Sequence, residues 1–113
     1  MTIREKAVAA SGKREYKTDT VPVLGEVRVR SLTEQEFQSG IAKWFRNDKF
    51  EVIPERRKYD RVKSIQMCLV EPDDSLSFTD STEDLDILVG LGAPVVDALW
   101  ELARSMVQAP EKN

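Results

Sequence analysis

The chain has 113 residues, 17 basic and 20 acidic side chains, a net charge of −3 and no histidine. This length fits one domain, and the nearly balanced charge gives no bulk attraction to nucleic acid or to an anionic membrane. A chain without histidine lacks the commonest general base near neutral pH and the commonest transition-metal ligand. The single cysteine, Cys68, excludes an internal disulfide. No apolar run is long enough for a membrane span and the charged N-terminus predicts no secretory signal, so we expect a cytoplasmic protein.

The N-terminal segment predicts a short helix that ends near Gly12, because small and apolar residues recur there at helical spacing. Isolated helices this short are marginal in water. We therefore expect a single domain over residues 1–113, with residues 1–15 and 108–113 frayed or flexible.

Residues 16–31 predict a β-hairpin, because valines alternate with polar or neutral residues on both sides of a turn at Leu24 and Gly25. The alternating residues are Val21, Val23, Val27 and Val29. Pro22 cannot donate a ladder hydrogen bond, so its strand should be an edge or be interrupted there. A lone two-stranded hairpin is only marginally stable. We expect it to pack on the helices, to associate with itself through its free edge, or both.

About four helices are predicted after residue 31. The first begins with a capping box, Thr33 with Glu36, and ends near residues 46–48. A polar connector over residues 49–59 leads to a second helix, which begins at about Glu55 or Asp60, ends at Val70 and is apolar on several sides. The third begins within residues 79–84, a segment of hydroxyl and acidic side chains typical of a helix N-terminus, and it stops at Gly90. The fourth begins near Pro94. The sequence therefore predicts an α+β fold: an N-terminal β-hairpin packed on a mainly α-helical single domain.

Motifs with catalytic chemistry are not apparent. Gly90-Leu91-Gly92 is better read as a helix stop than as a nucleotide loop, and the acidic residues 80–86 suit a helix N-terminus better than a cation site. Cys68 sits among apolar residues and is predicted to be a buried small hydrophobe. We predict no catalytic, cofactor-binding or metal-binding residue, no cofactor and no enzymatic activity.

The fourth helix carries two adjacent apolar stripes, which is more apolar width than a one-sided amphipathic helix needs. Either this helix is central in the fold, or one stripe is exposed and binds a partner protein. The hypothesis for a partner-binding surface takes the second stripe together with a nearby tryptophan. Its residues are Trp44, Val96, Trp100, Ala103 and Val107.

Four segments in this order resemble the tail assembly chaperones of long-tailed bacteriophages and prophages. They are residues 21–36, with the strand-to-helix entry Val-Arg-Val-Arg-Ser-Leu-Thr, residues 68–73, residues 76–79 and residues 91–100. Pro72-Asp73-Asp74 stands where the family usually has an Asp-Gly turn. The resemblance covers roughly residues 20–107.

The resemblance implies a function through protein binding. Such chaperones bind the tape-measure protein, keep its hydrophobic helical segments soluble and recruit tail-tube protein in the bacterial host cytoplasm, without a cofactor. Two alternatives stay open. One is a small nucleic-acid-binding regulator that uses the basic stretch of residues 56–63, for which a solvated helix face is the favoured interpretation. The other is a structural head–tail or tail component of the virion.

Overall fold

The computed structural model describes residues 1–107, so the predicted flexible tail at 108–113 lies outside the described residues. The described chain has five α-helices and a three-stranded antiparallel sheet, which confirms the predicted α+β class. In chain order the elements are α1 (Ile3–Ala10), β1 (Tyr16–Val21), β2 (Gly25–Arg30), α2 (Glu34–Phe37), a π-helix (Gln38–Ala42), a 3-10 helix (Pro54–Tyr59), α3 (Asp60–Cys68), β3 (Leu69–Val70), α4 (Thr82–Val89) and α5 (Ala93–Val107). None of these helices is long and apolar enough to cross a lipid bilayer.

Helix α1 stands apart from the core. It begins with a capping box between Thr2 and Glu5, and all of its residues are exposed. Its position before Gly12, which adopts a φ of +77°, agrees with the short helix predicted there. Because α1 buries none of its residues, the main local stabilisation of this helix is its N-terminal capping box.

The predicted hairpin is present, but Val23, predicted as a strand residue, lies in the turn with a φ of +72°. Strand β1 pairs antiparallel with β2, with Tyr16 opposite Arg30 and Val21 opposite Gly25. The turn comprises residues 22–24, and Gly25 adopts a φ of +77° as it opens β2, a conformation that costs glycine little. Val29 is fully buried, so one face of the hairpin reaches the core.

The predicted end of the second helix at Val70 is wrong. Helix α3 stops at Cys68, and Leu69 takes an extended conformation with a ψ of 126°. Leu69 and Val70 form strand β3, which pairs antiparallel with β2. Both residues are buried, and the outer edge of β2 provides backbone hydrogen bonds that a further helical turn would leave unmade. The hairpin is therefore part of a three-stranded sheet in the order β1-β2-β3.

The helix after the hairpin begins at the predicted capping box but does not remain an α-helix. Thr33 Oγ1 accepts from the Glu36 amide at 3.1 Å, and Glu36 Oε1 accepts from the Thr33 amide at 2.9 Å. Only Glu34–Phe37 is α-helical before the chain widens into the π-helix Gln38–Ala42. A Cβ at Gly40 would overlap the end of the Met67 side chain, so a larger residue there would require Met67 to move.

Helix α5 packs against α3 and against β1 and β2. The buried hydrophobic cluster between them draws on every layer of the fold: Val21, Val29, Tyr59, Val62, Ile65, Cys68, Leu69, Leu85, Leu88, Val95, Val96, Leu99, Leu102 and Ala103. Both apolar stripes of α5 thus contribute residues to one core.

Polar side chains on the buried helix α3 bind the segment that precedes α4. Lys63, which is 2% exposed, donates to Gln66 Oε1 at 3.0 Å and to Asp80 Oδ1 at 2.6 Å. Gln66 Nε2 donates to the carbonyl oxygens of Thr79 and Ser81 at 2.6 and 3.2 Å. These bonds satisfy polar groups that would otherwise be costly to bury, and they fix where α4 begins.

Glu36 joins three parts of the chain through its carboxylate. The Arg14 guanidinium donates two bonds to it at 2.7 and 2.8 Å, and Arg30 Nη2 lies 3.7 Å away. Arg14 also donates to the Ser31 carbonyl at 2.9 Å. The hydrogen bonds from Arg14, helped by the Thr33 amide, lower the pKa of Glu36 from 4.5 to about 2. The segment before β1, the strand β2 and the start of α2 are thereby held together.

Replacement of Glu36 by glutamine should lower the free energy of unfolding at pH 7 by about 1–2 kcal/mol, because the ion pair with Arg14 is lost while the capping box can persist. The folded-state pKa lies below the ordinary value, so this stabilisation is complete above pH 4.5 and disappears as the pH falls towards 2. Urea unfolding of wild type and Glu36→Gln across pH 2–7 measures this difference.

The two stability curves should converge at the acid end of that range. Glu101→Gln, which removes an exposed pair with Arg104, is the matched control and should change stability little. A stability difference for Glu36→Gln that is independent of pH would contradict the assigned role of the carboxylate.

Candidate partner-binding surface

Cys68 is fully buried, and burial raises the pKa of its thiol to about 12. A thiolate is needed for nucleophilic attack, so this cysteine is inert in the folded protein. Within residues 1–107, no group of three or more carboxylate or thiol side chains is arranged to hold a metal ion. The candidate site is a binding surface.

Two of the five residues predicted to face a partner belong to the core. Val96 is 7% exposed and Ala103 is fully buried on α5. Trp100 and Val107, on the same helix, are half-buried and pack against the core cluster. The helix α5 is wide in apolar residues because it is central in the fold. Little of the predicted α5 surface is therefore accessible to a partner.

Trp44, the fifth predicted residue, is packed at the end of the π-helix region. Its ring meets the rings of Phe45 and Tyr59 edge-on, at centroid distances of 4.9 and 5.8 Å. The Arg56 guanidinium and the Lys63 ammonium lie 4.6 and 4.8 Å from its ring centroid. Such cation–π contacts stabilise a half-buried indole but occupy the ring faces that a partner would use.

A run of three concavities lies on the surface formed by the π-helix, the 3-10 helix and the junction of α4 with α5. Their volumes are about 440, 500 and 370 Å³. The first and second share Ala42 and Arg46, and the second and third share Arg57 and Asp60. They are therefore neighbours on one side of the molecule, and we call the three together the basic groove. Its lining residues are Gln35, Gln38, Ser39, Ala42, Lys43, Phe45, Arg46, Phe50, Val52, Arg57, Lys58, Asp60, Arg61, Val62, Val89, Leu91, Ala93 and Val96.

The basic groove is lined by apolar residues, here called its floor, and by cationic residues, here called its rim. Its cationic residues are Lys43, Arg46, Arg57, Lys58 and Arg61, whereas Asp60 is the acidic residue among those that line it. Arg61 is bound to Asp97 at 2.5 Å, but the other four make no ion pair within residues 1–107. In a chain with a net charge of −3, this local excess of positive charge distinguishes the groove from the rest of the surface.

Phe50 projects at one end of the groove from a small, ordered loop. Phe50 is 73% exposed, and its backbone adopts a φ of +61°, which is strained for a bulky side chain. The loop is closed by a bridge between Arg46 and Val52, and the Arg46 guanidinium donates to the Phe50 carbonyl at 2.8 Å. The loop therefore holds an exposed aromatic side chain at a strained backbone position.

The side chain of Asn47 organises this loop from within. Its Oδ1 accepts from the amides of Lys49 and Glu51 at 2.8 and 3.0 Å. Sequence reasoning treated this stretch as a polar connector and missed the exposed aromatic residue at its tip. The available signal was Phe50 and Val52 just after Asn47-Asp48, a pair of residues that favours turns.

The basic stretch 56–63 does not present one continuous array of cations. The guanidinium of Arg56 donates to the Trp44 carbonyl, Arg61 is paired with Asp97, and Lys63 is buried. Arg57 and Lys58 remain exposed and line the basic groove.

No protein-family model, curated protein or solved structure matches the chain.

The burial of Cys68 makes its reactivity a sensitive report of the folded state. The native protein should resist labelling by an aromatic disulfide reagent at pH 8, because the thiol is shielded and its pKa is raised to about 12. The same reagent should label one thiol per chain in guanidinium chloride. Rapid, complete labelling of the native protein would show that α3 is less well packed than described.

Proposed function

We propose that this chain is a tail assembly chaperone of a long-tailed bacteriophage or prophage. It binds the tape-measure protein in the host cytoplasm and helps recruit tail-tube subunits, without a cofactor. The structural observation that supports the proposal is the basic groove, with its apolar floor and cationic rim. The family resemblance supplies the identity of the partner.

The occupant that best fits the groove is an amphipathic helix with acidic residues beside its apolar face. Binding of a helix in a groove requires apolar contacts along the floor, which Phe45, Val52 and Leu91 offer. The exposed cations on the rim would attract carboxylates of the partner, fix its register and raise its association rate. The groove residues come mostly from helices and loops, and none comes from β1, the open edge of the sheet. Because an added strand would need that edge, the groove favours a helical occupant.

Masking of such helices suits an assembly chaperone. A long, largely helical protein exposes apolar faces until tube subunits surround it, and exposed apolar faces of this kind promote aggregation. A small binder that covers one helical face with its groove and presents charged side chains elsewhere would keep the complex in solution. Phe50 would act as the aromatic anchor, because exposed aromatic side chains that become buried on binding contribute strongly to affinity.

The nucleic-acid alternative receives less support. Three of its five cations, Arg56, Arg61 and Lys63, are engaged within the protein or buried. Phosphate binding depends on several free cations acting together and falls steeply with salt. A virion component remains the second alternative, and it predicts that the chain is present in finished particles, from which a chaperone is absent.

The direct test is co-expression of this chain with the tape-measure protein of the same genome. We expect the long protein to become soluble only in the presence of this chain and the two to co-purify. If the long protein stays insoluble and the two never associate, the proposed function is wrong.

Variants of the basic groove test the binding surface separately. Phe50→Asn keeps a residue that tolerates positive φ, and Arg57→Glu reverses one rim charge. Each should weaken binding of a soluble tape-measure fragment about tenfold or more, measured by isothermal titration calorimetry. The loss from Arg57→Glu should shrink at high salt.

Leu76→Asn is the matched control, since Leu76 is exposed but lies outside the groove. It should bind as wild type does. If all three variants bind equally while co-purification persists, the partner uses another surface.

A further inference from the structure

One edge of the sheet is covered and the other is open. At the β3 edge, the Ser77 amide donates to the Leu69 carbonyl at 3.1 Å, and Leu76 forms a bridge with Val70. At the opposite edge, β1 has no neighbouring strand within the described chain, and five of its six residues, from Tyr16 onward, are exposed. An open strand edge offers unpaired amides and carbonyls to another chain.

The register of the hairpin determines which residues of β1 offer these groups. The Ser31 amide donates to the Glu15 carbonyl at 2.8 Å, one step beyond the pair of Tyr16 and Arg30. Hydrogen-bonded pairs alternate along an antiparallel ladder, so the odd-numbered residues of β1 bond to β2. Tyr16, Thr18 and Thr20 therefore direct their backbone groups to the free edge.

We propose that two copies of this chain pair through β1, antiparallel and about a two-fold axis at Thr18. In this register Thr18 lies opposite its own equivalent in the second copy, and Tyr16 lies opposite Thr20. All three pairs use the backbone groups that face the free edge, so the ladder continues from one sheet into the other. The product is a six-stranded sheet shared by two chains.

Charge favours this register over the two nearest registers that the backbone allows. Lys17 lies opposite Asp19 of the second copy, and the symmetry makes this contact twice. A shift of two residues in one direction would place Lys17 opposite Lys17, and the same shift in the other direction would place Asp19 opposite Asp19. Opposite charges stabilise cross-strand pairs and like charges destabilise them. A shift of one residue would leave the edge-facing amides without partners.

The same charges discourage other partners. Charged residues on an edge strand are a common protection against unspecific strand addition. Here Lys17 and Asp19 lie on the same face as the buried Val21, where a foreign strand would have to match both charges. The edge is therefore suited to a second copy of this chain rather than to any extended peptide.

This pairing leaves the basic groove free, because no residue that lines the groove belongs to β1. If the proposed function holds, a dimer would present two grooves to successive segments of one long partner. The second binding event would then be intramolecular and strengthen the whole complex.

A charge exchange tests the register without any partner protein. Wild type should pass from monomer to dimer in a concentration series measured by analytical ultracentrifugation. Lys17→Asp places two like charges opposite each other and should raise the dimer dissociation constant about tenfold or more. The double variant Lys17→Asp/Asp19→Lys restores opposite charges and should recover dimerisation. Wild type that stays monomeric throughout, or a double variant no better than the single one, would overturn the proposal.

A cysteine at the two-fold axis gives an independent readout. Equivalent Cα atoms in a hydrogen-bonded antiparallel pair lie about 5.5 Å apart, within the range that a disulfide bridges. Thr18→Cys should form a covalent dimer under mild oxidation, and the buried Cys68 should not interfere. Thr82→Cys, exposed at the start of α4, is the matched control and should stay monomeric. Equal cross-linking of both variants, or of neither, would contradict pairing at β1.

Discussion

Burial of α3 on almost all sides is the constraint on which the rest of this structure depends. Six of its nine residues are buried, including Lys63 and Gln66, whose polar ends would destabilise the core without partners. The segment before α4 provides those partners, and among the described residues no buried side-chain polar atom is left unsatisfied. One short helix thus positions the 3-10 helix before it, α4 beside it and α5 across it. Its hydrogen bonds specify where the next element begins, while its apolar residues contribute the burial that stabilises the fold.

The sheet and α5 follow from the same constraint. Because α3 ends at Cys68 under the sheet, the next two residues reach the outer edge of β2 and add a strand to the hairpin. Helix α5 then lies against α3 and the inner face of the sheet at once, which is why both of its apolar stripes are needed. The carboxylate of Glu36 binds Arg14 and Arg30, and so connects the segment before β1, the strand β2 and the start of α2. The hairpin is stable as part of this layered core, so its open edge at β1 need not be paired for the chain to fold.

The basic groove lies along the least regular part of the backbone. The π-helix, the loop with Phe50 and the 3-10 helix all contribute residues that line it. Irregular backbone also directs side chains that a continuous helix would place elsewhere, which is how Arg46 comes to hold the Phe50 carbonyl. The groove and the β1 edge lie on separate elements, so binding of a helical partner and pairing of two chains are compatible. The groove lies along irregular segments, whereas the β1 edge belongs to a regular strand that has no further strand beside it within the described residues.

Local signals in the sequence predicted most of the elements. The Thr33 capping box, the pairing of the two hairpin strands, the glycine stop after α4 and the apolar character around Cys68 depend on neighbours within a few residues, and each was found where it was expected. The candidate site was predicted less well, because Val96 and Ala103 are apolar residues whose burial depends on which layers α5 meets. The third strand, the π-helix and the position of Phe50 likewise depend on contacts between distant segments. The sequence by itself therefore determined the hairpin, the α+β class and the start of most helices, because those signals are local. Only the tertiary structure decided which apolar and charged side chains remain accessible, since exposure is a property of packing and not of local pattern.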